Sequence, residues 1–270
     1  MLAAFFVMSR TAVSMCSAGI LLFLIALWAA KTDMARSRGL HKIVALSNLC
    51  FAIPLAVFGA LHLSGVEFVL PVVPSYMPWR LFWAYFVGVA LLAASLSIAT
   101  KVQVRWSGLL FGIMMLLFVV TLDTRGALAH PRDRFVWTYV LRESSFAGGG
   151  SVLAGNALRE QGRGQSALIT VARLIIAIAA IFYGIEHFLH PTGVPGVPLE
   201  KMIPAWIPAQ MLIGYLAGAI LLIAGVSILL AKKTRLAATY LGILDSAAGL
   251  VHLWSDSDRF AGRPEHRHQD

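Results

Sequence analysis

Three residues near the end of one long apolar run have the types and spacing for ligand or proton chemistry. They are Glu186, His187 and His190, in Tyr183-Gly184-Ile185-Glu186-His187-Phe188-Leu189-His190-Pro191. Positions three apart share a helix face, so His187 and His190 align if the helix reaches them, and Pro191 ends it soon after. A polar cluster there can bind a headgroup, relay protons or ligate a metal. The plainer reading is that amphipathic imidazoles tie down the following loop. An upstream echo, Val57-Phe58-Gly59-Ala60-Leu61-His62, places His62 at an equivalent corner. Two facing imidazoles would suit a bis-histidine haem, and duplication of a structural residue gives the same pair. Tyr85 and Tyr215, with Trp79, Trp83 and Trp206, fall at or near the starts of the next apolar runs. A quinone or lipid slot would use such rings for stacking and a Tyr or His to meet a carbonyl, whereas an aromatic belt has the same composition. The candidate cofactor-binding set is therefore His62, His187, Glu186, Tyr85, Tyr215 and Trp206.

The elements that must hold these groups follow from composition. Of 270 residues, 59% are hydrophobic and only 13% charged, with mean hydropathy +0.77. A soluble core could not hide that much apolar surface, and runs of bilayer-spanning length recur throughout. Seven or eight spans are predicted: 11–30, 44–63, 80–100, 106–123, a weaker 137–155, 168–189, 208–231 and 236–254. The weaker one contains Arg142, Glu143 and Gly148-Gly149-Gly150; its glycines would admit a neighbouring backbone. Asp245 falls inside the last span, where a carboxylate marks either function or relaxed constraint.

The charge of +9 is distributed over short loops, where Lys and Arg set orientation and meet anionic headgroups. No basic patch is interleaved with aromatics, so no nucleic-acid partner is expected. The contrast between 31–43, with four Lys and Arg, and 64–79, with none, puts the N-terminus outside the cell. Cations following rather than preceding the first segment argue for a true span over a signal peptide, with Met34 as an alternative start to Met1. Cys16 and Cys50 both lie in apolar runs and form no Cys-x-x-Cys, so no metal site is expected. No Ser-His-Asp set, Walker loop, dinucleotide fingerprint or His-Glu-x-x-His occurs, which argues against a self-contained active site of soluble type and leaves open whether the chain is an enzyme.

Laying Pro78 on Pro208 aligns Tyr85 with Tyr215, Gly88 with Gly218, Ser97-Ile98 with Ser227-Ile228 and Arg105 with Arg235. After a shift in the loop, Gly59 falls on Gly184 and His62 on His187. The expectation is an all-α polytopic membrane bundle of about eight helices, built as two four-helix repeats of parallel topology. An extra N-terminal helix (1–33) precedes the first repeat (34–160). The second repeat (161–254) lacks its last helix and leads into a polar tail (255–270).

Arg173, the run Gly184-Ile185-Glu186-His187-Phe188, the loop Pro204-Ala205-Trp206-Ile207-Pro208, Gly218, Gly225 and Thr234-Arg235-Leu236-Ala237-Ala238 resemble the DoxX-like family of bacterial membrane proteins. The likeness covers about 168–245, and 44–155 as a diverged copy. It implies a multi-pass protein of the bacterial inner membrane, a subunit or accessory of quinone-linked redox chemistry with a membrane redox partner. A quinone or lipid would then meet Tyr215, Trp206 and His187 at the outer leaflet. The acidic residue that many members carry midway along the second helix is replaced here by Ile220 and Leu221, and by Leu91 in the first copy. The other readings are a small-solute carrier or channel at the repeat interface, and a structural subunit of a membrane complex.

Overall fold

In this computed structural model, which describes residues 10–38, 46–162, 166–193, 208–234, 236–242 and 244, all regular structure is helical. The order is α1 (Arg10–Arg36), α2 (Ser47–Ser64), α3 (Val66–Val69) running into a 3-10 turn (Leu70–Val72), α4 (Arg80–Thr100) and α5 (Val104–Phe118). A π-helical segment (Val119–Asp123) leads into α6 (Thr124–Ala129), followed by α7 (Arg134–Glu160), α8 (Ser166–Leu189) and α9 (Gln210–Leu229). Residues 236–242 are also helical.

Among the described residues, five stretches are long and apolar enough to cross a membrane: α1, α4, Val104–Ala129, Ala167–Leu189 and α9. A sixth results if Asn48–Ser64 and Val66–Val72, which meet at a bend of 99°, count as one. Of the spans expected from hydropathy, 137–155 is not found as an apolar crossing among the described residues. The segment expected over 137–155 is helical and extends beyond it, but Arg134, Arg142, Glu143, Arg159 and Glu160 make α7 too polar to join the set. Trp206, Asp245, most of 236–254 and the tail lie outside the described residues. The exposed faces of the apolar helices carry Leu21, Leu24 and Trp28 on α1, Phe82, Phe86 and Val89 on α4, and Leu212, Leu216 and Ile223 on α9. Apolar exposure on that scale suits lipid rather than water.

The chain divides into two compact units, Met1–Ala129 with Glu143–Ala172, and His130–Arg142 with Arg173–Asp270. In the first, α2 and α4 form the centre. A Cβ on Gly59 would come within 2.8 Å of Leu92 and 3.0 Å of the Gly88 carbonyl, so bare backbones meet there. The Ser95 hydroxyl donates to the Ala52 carbonyl at 2.7 Å, satisfying a polar group with no exposed surface. The close approach expected of the α7 glycines occurs at Gly150, where a Cβ would lie 2.7 Å from the Gly108 carbonyl. Beyond α2 the chain turns at Gly65, and the Arg80 guanidinium pins the 3-10 turn by donating to Val73 O at 2.8 Å and Leu70 O at 2.7 Å.

In the second unit α8 and α9 meet in the same manner. A Cβ on Gly184 would sit 2.7 Å from Leu222, and one on Gly225 would sit 2.8 Å from Ile181. Ala177, Ala224, Ile228 and Ala237 cluster around this contact. The backbone repeats itself at the ends of α4 and α9. Trp79, Lys101 and Gln103 have positive φ, as do Ala209, Ala231 and Lys233, at a constant spacing of 130 residues (79 to 209, 101 to 231, 103 to 233). Both helices close with the paired bonds of a Schellman motif. Lys101 N donates to Ile98 O and Val102 N to Ser97 O; Ala231 N donates to Ile228 O and Lys232 N to Ser227 O.

Candidate functional site

Each histidine corner is built by a helix end resting on a glycine. In the first unit, a Cβ on Gly88 of α4 would lie 2.7 Å from the His62 Cβ. In the second, a Cβ on Gly218 of α9 would lie 2.9 Å from the His187 Cβ and 3.0 Å from the Gly184 carbonyl. Both rings turn back onto their own helix, with Nδ1 at 2.8 Å from Phe58 O for His62 and 2.7 Å from Tyr183 O for His187. A carbonyl can only accept, so Nδ1 carries the hydrogen and, in the neutral ring, Nε2 is left as an acceptor.

The two corners then diverge. In the register that lays His62 on His187, Leu61, Leu63 and Gly65 stand where Glu186, Phe188 and His190 do. The first corner is therefore apolar around its histidine, while the second carries a charged cluster and an aromatic platform.

The charged cluster faces the start of α7. The Glu186 side chain is 2% exposed, and its Oε1 receives Arg134 Nη1 at 3.3 Å. Its Oε2 is buried without a hydrogen bond, and His190 Nε2 lies 3.8 Å from it. The last turn of α8 extends far enough for this, since His190 N donates to Glu186 O at 2.8 Å. Alongside, the Tyr183 hydroxyl donates to the carbonyl of buried Thr138 at 2.7 Å. Arg134 and Thr138 are one helical turn apart on α7, as are Tyr183 and Glu186 on α8, so the two helices present matching polar edges.

The platform lies on another face of α8, two residues and about 200° around the helix from Glu186. Phe188 stacks on Tyr215 of α9 at 5.7 Å between ring centroids and 23° between planes. Both rings are partly exposed. Gly218 makes room for the stack, since a Cβ there would touch Phe188 at 3.1 Å.

The structure therefore divides the expected set. Glu186 and His187 are adjacent and buried, but their side chains serve different contacts. Tyr215 meets Phe188, a residue outside the expected set. Tyr85, exposed on α4, and His62 belong to the first unit, and Trp206 lies outside the described residues. Arg134, a residue outside the expected set, is the partner of the buried carboxylate; no local signal links residues 52 positions apart. Among the described residues no group of three His, Cys, Asp or Glu could hold a metal ion. Comparison with known proteins finds no family model, no curated protein and no solved structure that matches the chain.

Proposed function

We propose that this is a DoxX-like, duplicated protein of the bacterial inner membrane. In this reading it serves quinone-linked redox chemistry as a subunit or accessory and seats a quinone ring on the Phe188–Tyr215 stack. The observation that carries the reading is that partly exposed aromatic pair, resting on Gly218 beside His187 at the end of an apolar helix. A flat ring gains about 0.5–1.5 kcal/mol from stacking beyond its buried area. His187 contributes an Nε2 acceptor suited to a hydroxyl of the reduced ring. The first corner has Leu63 in place of Phe188 and so lacks the platform, which favours the second corner as the ring site.

Duplication is supported by the matched left-handed residues. A non-glycine side chain in that region is uncommon. Three such pairs in one register, with identities as different as Trp79 and Ala209, argue for an inherited backbone. The paired glycine–histidine contacts point the same way. The reading is tested by titrating the purified protein with a short-chain benzoquinone and following aromatic fluorescence. Saturable quenching that weakens in Phe188→Leu and Tyr215→Leu supports it. Quenching that is linear in quinone, or equal in the variants, rejects it.

A further inference from the structure

We infer that His190 and Glu186 form a proton-exchange couple at the end of α8. His190 Nε2 takes up a proton on the exposed side and passes it to Oε2 of the buried Glu186 carboxylate, with Arg134 as the positioning residue. This goes beyond ring binding and does not rest on it, because the carboxylate lies on a different helix face and its protonation is measurable with no quinone present.

A purely structural ion pair would use the carboxylate fully. An arginine fork can engage both oxygens at once, and a buried charge is tolerated when its lone pairs are satisfied. Here Arg134 reaches only Oε1, at a long 3.3 Å. Oε2 is left buried and without a hydrogen bond, a feature that calls for an explanation in a native site. The group placed to answer it is His190, whose ring is 45% exposed and whose Nε2 is 3.8 Å away. Closing that gap by about 1 Å makes a hydrogen bond. One end of the couple is thus open to the surroundings and the other is buried.

The neighbouring groups are compatible with a single mobile proton. Arg134 is the cation facing Glu186 from α7. On α8 itself, Tyr183 gives its hydroxyl hydrogen to Thr138 O, and His187 holds its Nδ1 hydrogen on Tyr183 O. From α9, the titratable group at this end is Tyr215, stacked on Phe188. In the transfer the Nε2–H bond of the imidazolium breaks and an Oε2–H bond forms. His190 becomes neutral, Glu186 becomes a carboxylic acid, and no electron moves. Arg134 keeps its contact with Oε1 throughout and holds the carboxyl group in place. The first corner folds with Leu61 and Gly65 at the matching positions, so the pair is not a requirement of the corner itself.

The test is infrared difference spectroscopy of the full chain in lipid nanodiscs, without quinone, after a rapid drop in pH. The expected result is a protonated-carboxyl stretching band that shifts in D2O and is missing from Glu186→Gln. In His190→Gln the band should persist but rise roughly 10²-fold more slowly, the loss typical of removing a positioned proton carrier. A wild-type spectrum indistinguishable from that of Glu186→Gln overturns the inference, as does an unchanged rate in His190→Gln. The His190 ring is half exposed, so its variant keeps the test decisive even if Glu186→Gln does not fold.

Discussion

Removing either partner of the Arg134–Glu186 pair should have very unequal consequences. At 3.3 Å, and with an effective dielectric constant near 20, the attraction is about 5 kcal/mol before desolvation. Arg134→Ala leaves a carboxylate with 2% exposure without its arginine, and orphaning a buried charge in this way costs about 3–5 kcal/mol. Glu186→Gln keeps the shape and leaves Arg134, about half exposed, free to be solvated, so its cost should be about 1 kcal/mol or less. The double variant should resemble Glu186→Gln alone, giving a coupling of about 3–5 kcal/mol, the full cost of the Arg134 truncation. Reversible unfolding in mixed micelles with increasing SDS, followed by circular dichroism, measures all four corners of the cycle. If Arg134→Ala proves no more costly than Glu186→Gln, charge compensation is not what holds this site together.

Gly218→Val should destabilise by about 1–3 kcal/mol, because the new side chain meets the Gly184 backbone as well as His187; thermal unfolding checks it. The control Gly19→Ala, which meets only the end of Val57, should be nearly silent. Gln103→Gly and Lys233→Gly should each stabilise by about 1 kcal/mol, since both sites hold positive φ; effects of opposite sign in the same assay would break the proposed equivalence of the two copies. Lys101→Ala removes its contact with Asp33, yet both side chains are exposed, so no change in the unfolding midpoint is expected.

What could be read from the sequence follows from the range of each signal. The apolar runs over 80–100, 168–189 and 208–231 correspond to α4, α8 and α9 because a crossing helix must satisfy its backbone internally and show apolar side chains to lipid. The Gly-x-x-His corners were visible because imidazoles are rare in apolar sequence and here recur at the same offset from a glycine. Their function in packing, Gly88 beneath His62 and Gly218 beneath His187, joins elements adjacent in the chain. Other features left no such trace. The Arg134 contact depends on tertiary placement, and a charged loop looks the same whether it is solvated or paired. The left-handed corners at Trp79, Lys101 and Gln103 carry no glycine to announce them. The polar ends of α7 hid its true length, since hydropathy reports the solvent of a helix rather than its extent.

The proposed ring site is tested most directly by native mass spectrometry of the full chain released from mild detergent. The account predicts a bound quinone of about one per chain in the wild type, lost when Phe188 and Tyr215 are both replaced by Leu. Wild-type protein that carries no quinone, or a double variant that retains it, would contradict the assignment.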